Sequence, residues 1–216
     1  EAVGAHSDAK VIHVSSLAAR EPGLSDYARS KNESESEISR LSDRKDWIII
    51  RPPVVYGPAD RETLAFFRCA KLGFSVIPGP RDQRLSFIYI NDLVEFLKVN
   101  IEKSRWSGQT LEIDDGTVGG YQWPGIVAAL SEAAQRPLRM IRLPAPGLRL
   151  AACLNAALHR AAGRATMFTP GKARELLHAD WAARPLPDAA SDWSPVHNLV
   201  DGFEKTMRWY RLAGWL

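Results

Sequence analysis

The chain has 216 residues, 45% of them hydrophobic and 25% charged, with a formal net charge of +3. That is an ordinary balance for a folded protein and enough apolar material for one sizeable core, or one domain plus a small lobe. The pI near 9.0 is mildly basic, but Lys and Arg are scattered, without a basic arm or aromatic–basic interleaving, which argues against a nucleic-acid partner.

Cys69 and Cys153, each within an apolar helical pattern, read as two buried thiols in a reducing, cytoplasmic compartment rather than as a disulfide. His6, His13, His159, His178 and His197 show no metal-ligand spacing, so no metal is expected. No signal peptide opens the sequence. The most apolar stretch, Leu143 to Leu158, contains Arg149 and two prolines and is too short to span a bilayer. A helix lying on a membrane is one reading of it; a core or substrate-pocket helix is the favoured one.

Ala2 to Ala9 reads as the tail of a helix, and Lys10 to Ser15 as a buried strand ending in small polar residues. A loop over Ala18–Gly23 leads to Ser25, a good N-cap, and a helix to about Leu41. Trp47 to Arg51 is a continuous apolar run that must be covered on both faces, as in a parallel sheet, and Pro52-Pro53 ends it. The pattern then predicts a helix over Glu62–Leu72, a strand over Leu85–Ile90 and a helix over Asp92–Lys103. Strand Thr110–Ile113, helix Trp123–Ala134, strand Leu138–Leu143 and an Ala-rich helix to about Ala162 follow. The last elements are a helix over Thr169–Leu177, a loop over Pro185–Pro195 and a final helix over Val196–Arg211.

Strands alternating with helices imply βαβ units and a parallel sheet. The expected fold is an incomplete Rossmann-like doubly wound parallel sheet with a smaller mixed α/β C-terminal substrate lobe. Residues 1–110 are expected to carry the main sheet, with 73–92 contributing to the lobe, and residues 111–216 the lobe and closing helix. Such a lobe closes over the carboxyl ends of the strands, where these folds bind ligands.

Tyr27 and Lys31 are four residues apart, hence on one face of a helix and within reach of one ligand. A phenol ordinarily ionises near pH 10, and a neighbouring ammonium favours the phenolate. Such a lysine can also hold a ribose hydroxyl. Ser16, at the end of a strand, can donate to a substrate carbonyl or alkoxide. The three together form a general acid/base site for hydride transfer. Tyr-x-x-x-Lys alone is common by chance; its context carries the weight. The motif follows a strand ending Val14-Ser15-Ser16 and precedes WIIIRPPVVYGP, then LSFIYI and Asp92 opening a helix.

That ordered set resembles the extended short-chain dehydrogenase/reductases, the NAD-dependent epimerase/dehydratase family, and the tail from Thr206 to Leu216 resembles the family's last helix. The resemblance implies that residues 1–110 are the C-terminal half of a dinucleotide-binding domain. It implies Ser16, Tyr27 and Lys31 as the catalytic triad. It places Ser15 beside the nicotinamide of NAD or NADP, with Tyr27 and Lys31 also on the cofactor. It places Pro53 and Val54 against the nicotinamide ribose or amide; plain strand termination by proline is the competing reading of that pair. Asp92 is read as structural, capping its helix or holding the strand–helix corner. A homodimer through the Tyr- and Lys-bearing helix is a further implication.

Three departures bear on function. No glycine-rich phosphate loop follows a strand, so the chain is expected to be a fragment lacking the family's first strands. Val54 stands where sugar-nucleotide members carry Asn, and Leu85, beside Arg84, stands where they carry Arg. Both changes remove polar contacts to a sugar diphosphate, and the span from Ser16 to Tyr27 is short. The expected reaction is NAD(P)-dependent hydride transfer at a secondary alcohol or ketone, by a dehydrogenase, epimerase or dehydratase. An apolar small-molecule substrate, steroid- or terpenoid-like, fits the helix Leu148–Leu158 better than a UDP-sugar. Two other readings stay open: a non-catalytic nucleotide-sensing or assembly subunit on the same fold, and an inactive fragment.

Overall fold

The computed structural model describes residues 10–40, 46–102, 108–187 and 193–216; the helix expected over Ala2–Ala9 lies outside them. The run before Ser15 forms strand β1 (Val11–Val14). Helix α1 (Asp26–Arg40) is opened by Ser25, whose hydroxyl accepts from the Ala28 amide at 2.9 Å. The WIIIR run forms β2 (Trp47–Arg51), parallel to β1, with Val14 opposite Ile50. Ile48, Ile49 and Ile50 are fully buried, as a strand covered on both faces requires.

Pro52-Pro53 stops β2, but the chain extends again at once as β3 (Val54–Tyr56). Helix α2 (Leu64–Leu72) begins later than Glu62 because the Asp60 carboxylate accepts from the amides of Glu62 and Thr63 and holds them in a turn. Gly73, left-handed at φ +93°, closes α2 and opens β4 (Phe74–Ile77), a strand the sequence pattern does not announce. The expected strand Leu85–Ile90 is two strands, β5 (Arg84–Leu85) and β6 (Phe87–Tyr89). It changes partners at Ser86, whose amide donates to Trp181 and whose carbonyl accepts from Val54. Helix α3 (Ile90–Glu102) leads to β7 (Gln109–Glu112), which completes a parallel sheet in the order β1-β2-β7.

Next come α4 (Trp123–Ala134), β8 (Arg139–Arg142), α5 (Ala145–Ala161), α6 (Pro170–Leu177), β9 (Asp180–Trp181) and α7 (Leu199–Leu212). β3 pairs with β6, β4 with β8 and β5 with β9, all in parallel. The architecture is a Rossmann-like parallel sheet with flanking helices and a smaller C-terminal α/β lobe. Asp92 accepts from the amides of Val196 and His197 and bonds the His197 ring at 2.9 Å, so it fixes the approach to α7.

One core gathers Tyr56, Phe67, Phe87, Phe203 and Tyr210 among α2, α4, α7 and the β3/β6 pair. A second packs Ile48, Ile50, Phe96 and Leu111 between the main sheet and α3. Two expectations are corrected. Cys69 is half-buried and Cys153 exposed, because α5 turns Cys153 away from its packed face. Helix α5 is not a core helix: only Leu148 and Ala152 are buried on it, against a small cluster with Ala173 of α6.

Gly202 reports how tightly α7 docks. A Cβ there would overlap the Tyr56 hydroxyl and lie 2.8 Å from its Cζ. That hydroxyl is buried and has no hydrogen-bond partner among the described residues. Gly202→Ala is expected to cost about 1–3 kcal/mol, since a tight core yields poorly to an added methyl. In thermal melts this lowers Tm by roughly 2–12 °C. Tyr56→Phe, which removes the nearest atom, restores part of the loss in the double variant; no recovery would contradict the packing account.

Candidate active site

β1 ends where the site begins. The Ser15 amide donates to Ile50 at 2.7 Å and the Leu17 amide to Pro52 at 3.0 Å, so the backbone over 15–17 is locked against the end of β2. Ser16 caps a single 3-10 turn, Leu17–Arg20, where a loop was expected, and its Oγ accepts from the Ala18 amide at 3.2 Å. A hydroxyl that accepts in this way keeps its proton to donate elsewhere. The Ser15 side chain is buried, and its Oγ has no partner among the described residues.

Helix α1 lays a polar face over this strand end. Ala28, Lys31, Asn32 and Glu35 follow the i, i+3, i+4, i+7 pattern of one helix face. The Asn32 amide donates to Ala19 at 3.0 Å, tying α1 to the 3-10 turn. Lys31 Nζ donates to the Val14 carbonyl at 3.2 Å, two residues before Ser16. The same Nζ lies 5.9 Å from the centre of the Tyr27 ring, which is 49% exposed. Among the described residues no hydrogen bond joins Tyr27 to Ser16 or to Lys31. Lys31 is the link the structure shows: it is bonded to Val14, two residues before Ser16, and its Nζ lies near the Tyr27 ring. The His13 ring on β1 bonds Ser34 Oγ at 3.0 Å. Burial, and then the Lys31 ammonium, push its pKa below the ordinary histidine value.

Pro53 and Val54 are half-buried, just after the Pro52 carbonyl that receives Leu17. Val54 opens β3, its amide 3.4 Å from the Ser86 carbonyl. Leu85 is buried and exchanges backbone hydrogen bonds with Tyr121, while the Arg84 guanidinium donates to Gly119 at 3.1 Å.

Motif reading misses the ion-pair chain that holds α1. Arg51, at the end of β2, makes a two-pronged bond to Glu35 of α1 at 2.8 and 2.5 Å. It also lies 3.7 Å from Glu112 at the end of β7. Glu112 accepts from Arg20 at 3.2 Å and from the Arg184 amide at 2.9 Å. Arg20 in turn donates to the carbonyls of Ala182 and Asp180 at 2.8 and 3.0 Å. Hydrogen bonding to Glu35 holds the Arg51 guanidinium above its usual pKa despite burial. Ser25 donates a short hydrogen bond to Glu175 of α6, and Arg174 donates to Leu24 at 2.6 Å. The start of α1 is thus strapped to the lobe, and its middle to the sheet. An arginine ending an otherwise apolar strand is the one sequence signal for this network; its partners are too distant in sequence to be named from it.

The family model for the NAD dependent epimerase/dehydratase family matches residues 4–113. The chain belongs to that family. It is 38% identical over 212 residues to a ceramide reductase of Caulobacter vibrioides, across 96% of this chain and 64% of that protein. The chain therefore spans about two thirds of that relative's length. Among solved structures it resembles a UDP-N-acetylglucosamine 4-epimerase from Methanobrevibacter ruminantium M1. The TM-score is 0.68 at 16% identity, covering 98% of this chain and 66% of the other. A dTDP-glucose 4,6-dehydratase from Bacillus anthracis, in complex with NAD, gives 0.64 at 13% identity, covering 95% and 63%. At those identities the likeness is one of fold. No helix among the described residues is long and apolar enough to cross a membrane.

Proposed function

We propose that this chain carries the catalytic part of an NAD(P)-dependent oxidoreductase that interconverts a secondary alcohol and a ketone, with Tyr27 as acid/base. The observation that supports the reading is Lys31, bonded to the Val14 carbonyl two residues before Ser16 and with its Nζ 5.9 Å from the Tyr27 ring centre. The residues suit a nicotinamide ribose: Lys31 keeps donors beyond the one used on Val14, and the buried Ser15 hydroxyl has no partner among the described residues. Ser15, Pro53 and Val54 are the proposed wall around the nicotinamide, with Tyr27 and Lys31 over the ribose. When bound, the nicotinamide ring supplies or accepts the hydride.

The roles divide by chemistry. Tyr27 gives its hydroxyl proton to the ketone oxygen in reduction and takes it back in oxidation. Lys31 holds the ribose. Ser16, its lone pair engaged by Ala18, donates to the same substrate oxygen and orients it.

The proposed substrate is a small molecule with a long apolar portion, a lipid ketone of the kind the name ceramide reductase suggests. Val54 and the buried Leu85 offer no polar contact to a sugar diphosphate, and such a group would bind at a cost there. The test is turnover of the complete gene product on a long-chain keto-lipid and on UDP-glucose, each with NADH and NADPH. Reduction of the keto-lipid is the expected result; activity confined to the nucleotide sugar would overturn the substrate class.

A further inference from the structure

Helix α5 has two apolar faces, and among the described residues only one has a partner. Leu148 and Ala152 pack against α6. Leu150, Leu154 and Leu158, offset by two residues and so about 200° away around the helix, are 61%, 57% and 71% exposed. Arg149 and Arg160 run along one side of this leucine stripe, on the helix surface between it and the packed face.

The charge around the stripe is one-sided. Between Glu132 and Glu175 there are eight of the chain's 28 Lys and Arg and none of its 25 Asp and Glu. The remaining chain is net acidic, with 20 cations against those 25 acids. The cations look scattered along the sequence; the asymmetry lies in the missing acids. Among the described residues Arg139, Arg142, Arg149, Arg160 and Arg164 are exposed and none pairs with a carboxylate. Strand β8, leading into α5, adds the half-exposed Met140 and Ile141 between Arg139 and Arg142.

We infer that the outer face of α5, with β8, docks on an anionic phospholipid surface. A leucine stripe flanked by unpaired arginines is the pattern of a helix lying in a bilayer interface, leucines among the acyl chains and guanidinium groups at the phosphates. A second copy of the chain fits this face poorly, because a symmetric pairing brings its uncompensated arginines together. The inference goes beyond the proposed reaction and does not depend on it.

The test is co-sedimentation of the purified chain with vesicles of equimolar phosphatidylglycerol and phosphatidylcholine, and with phosphatidylcholine alone. The chain is expected to pellet with the first and to remain largely in solution with the second, and raised salt weakens the binding. Leu150→Ser/Leu154→Ser/Leu158→Ser is expected to lower partitioning by on the order of tenfold or more. Arg149→Glu/Arg160→Glu is expected to remove the preference for the anionic lipid. These side chains are exposed, and near-ultraviolet circular dichroism checks that both variants fold. Absence of binding to anionic vesicles, or equal binding by the triple-serine variant, would overturn the inference. A dimer in sedimentation velocity that the triple-serine variant dissociates, without vesicle binding, would assign the face to self-association instead.

Discussion

Tyr27→Phe is expected to lower kcat by roughly 10²–10⁴-fold, the usual contribution of a positioned acid/base. Affinity for the nicotinamide cofactor should change little. The substitution removes one oxygen from a ring that is 49% exposed and makes no hydrogen bond through its hydroxyl among the described residues, so the fold has little to lose. Lys31 keeps its bond to Val14 and its place near the ring. Steady-state kinetics together with cofactor titration separate the two effects. A variant that turns over at the wild-type rate contradicts the role of Tyr27. One that loses cofactor binding and turnover together assigns the residue to holding the cofactor instead.

The second large effect lies away from the chemistry. Arg51→Leu leaves Glu35 buried without its guanidinium and takes one of two cations from Glu112. Removing one partner of a buried ion pair costs about 3–5 kcal/mol. For a chain of this size that lowers Tm by roughly 6–20 °C. Glu35→Gln in the same background should recover part of the loss, because the stranded charge goes with it. Differential scanning calorimetry on the wild type and the two variants measures both quantities. Full stability of Arg51→Leu would show that water serves Glu35 as well as the arginine does. The effect reaches the site because Glu35 lies on the same α1 face as Lys31.

Much of this was legible in the sequence, and the reasons differ by element. Trp123–Ala134 reads as a helix from its apolar period and is α4 with the same bounds. Trp47–Arg51 declares a doubly covered strand by its unbroken isoleucines. Tyr27, Lys31 and Ser16 gain meaning from order along the chain, since a motif common by chance becomes specific between two parallel strands. Strands β3, β4 and β9 were not legible. Each is two to four residues long and exists through pairing with a distant partner: Val54 with Phe87, Phe74 with Arg139, Asp180 with Arg84. The Arg20–Glu112–Arg51–Glu35 chain escaped for the same reason. Helix α5 reads as a core or substrate-pocket helix, and the core reading fails because leucine content reports burial only on average; what its second face meets is decided by neighbours.

The central claim is that Tyr27, Ser16 and Lys31 serve hydride transfer between nicotinamide and a ketone carbon. It is tested most directly by following the hydrogen itself. The complete gene product is supplied with reduced cofactor carrying deuterium at nicotinamide C4 and with a long-chain keto-lipid, and the alcohol is examined by mass spectrometry. The account predicts one deuterium on the new carbinol carbon, delivered by the wild type and nearly abolished in rate by Tyr27→Phe. Alcohol formed without the label, or labelled at an undiminished rate by Tyr27→Phe, would contradict it.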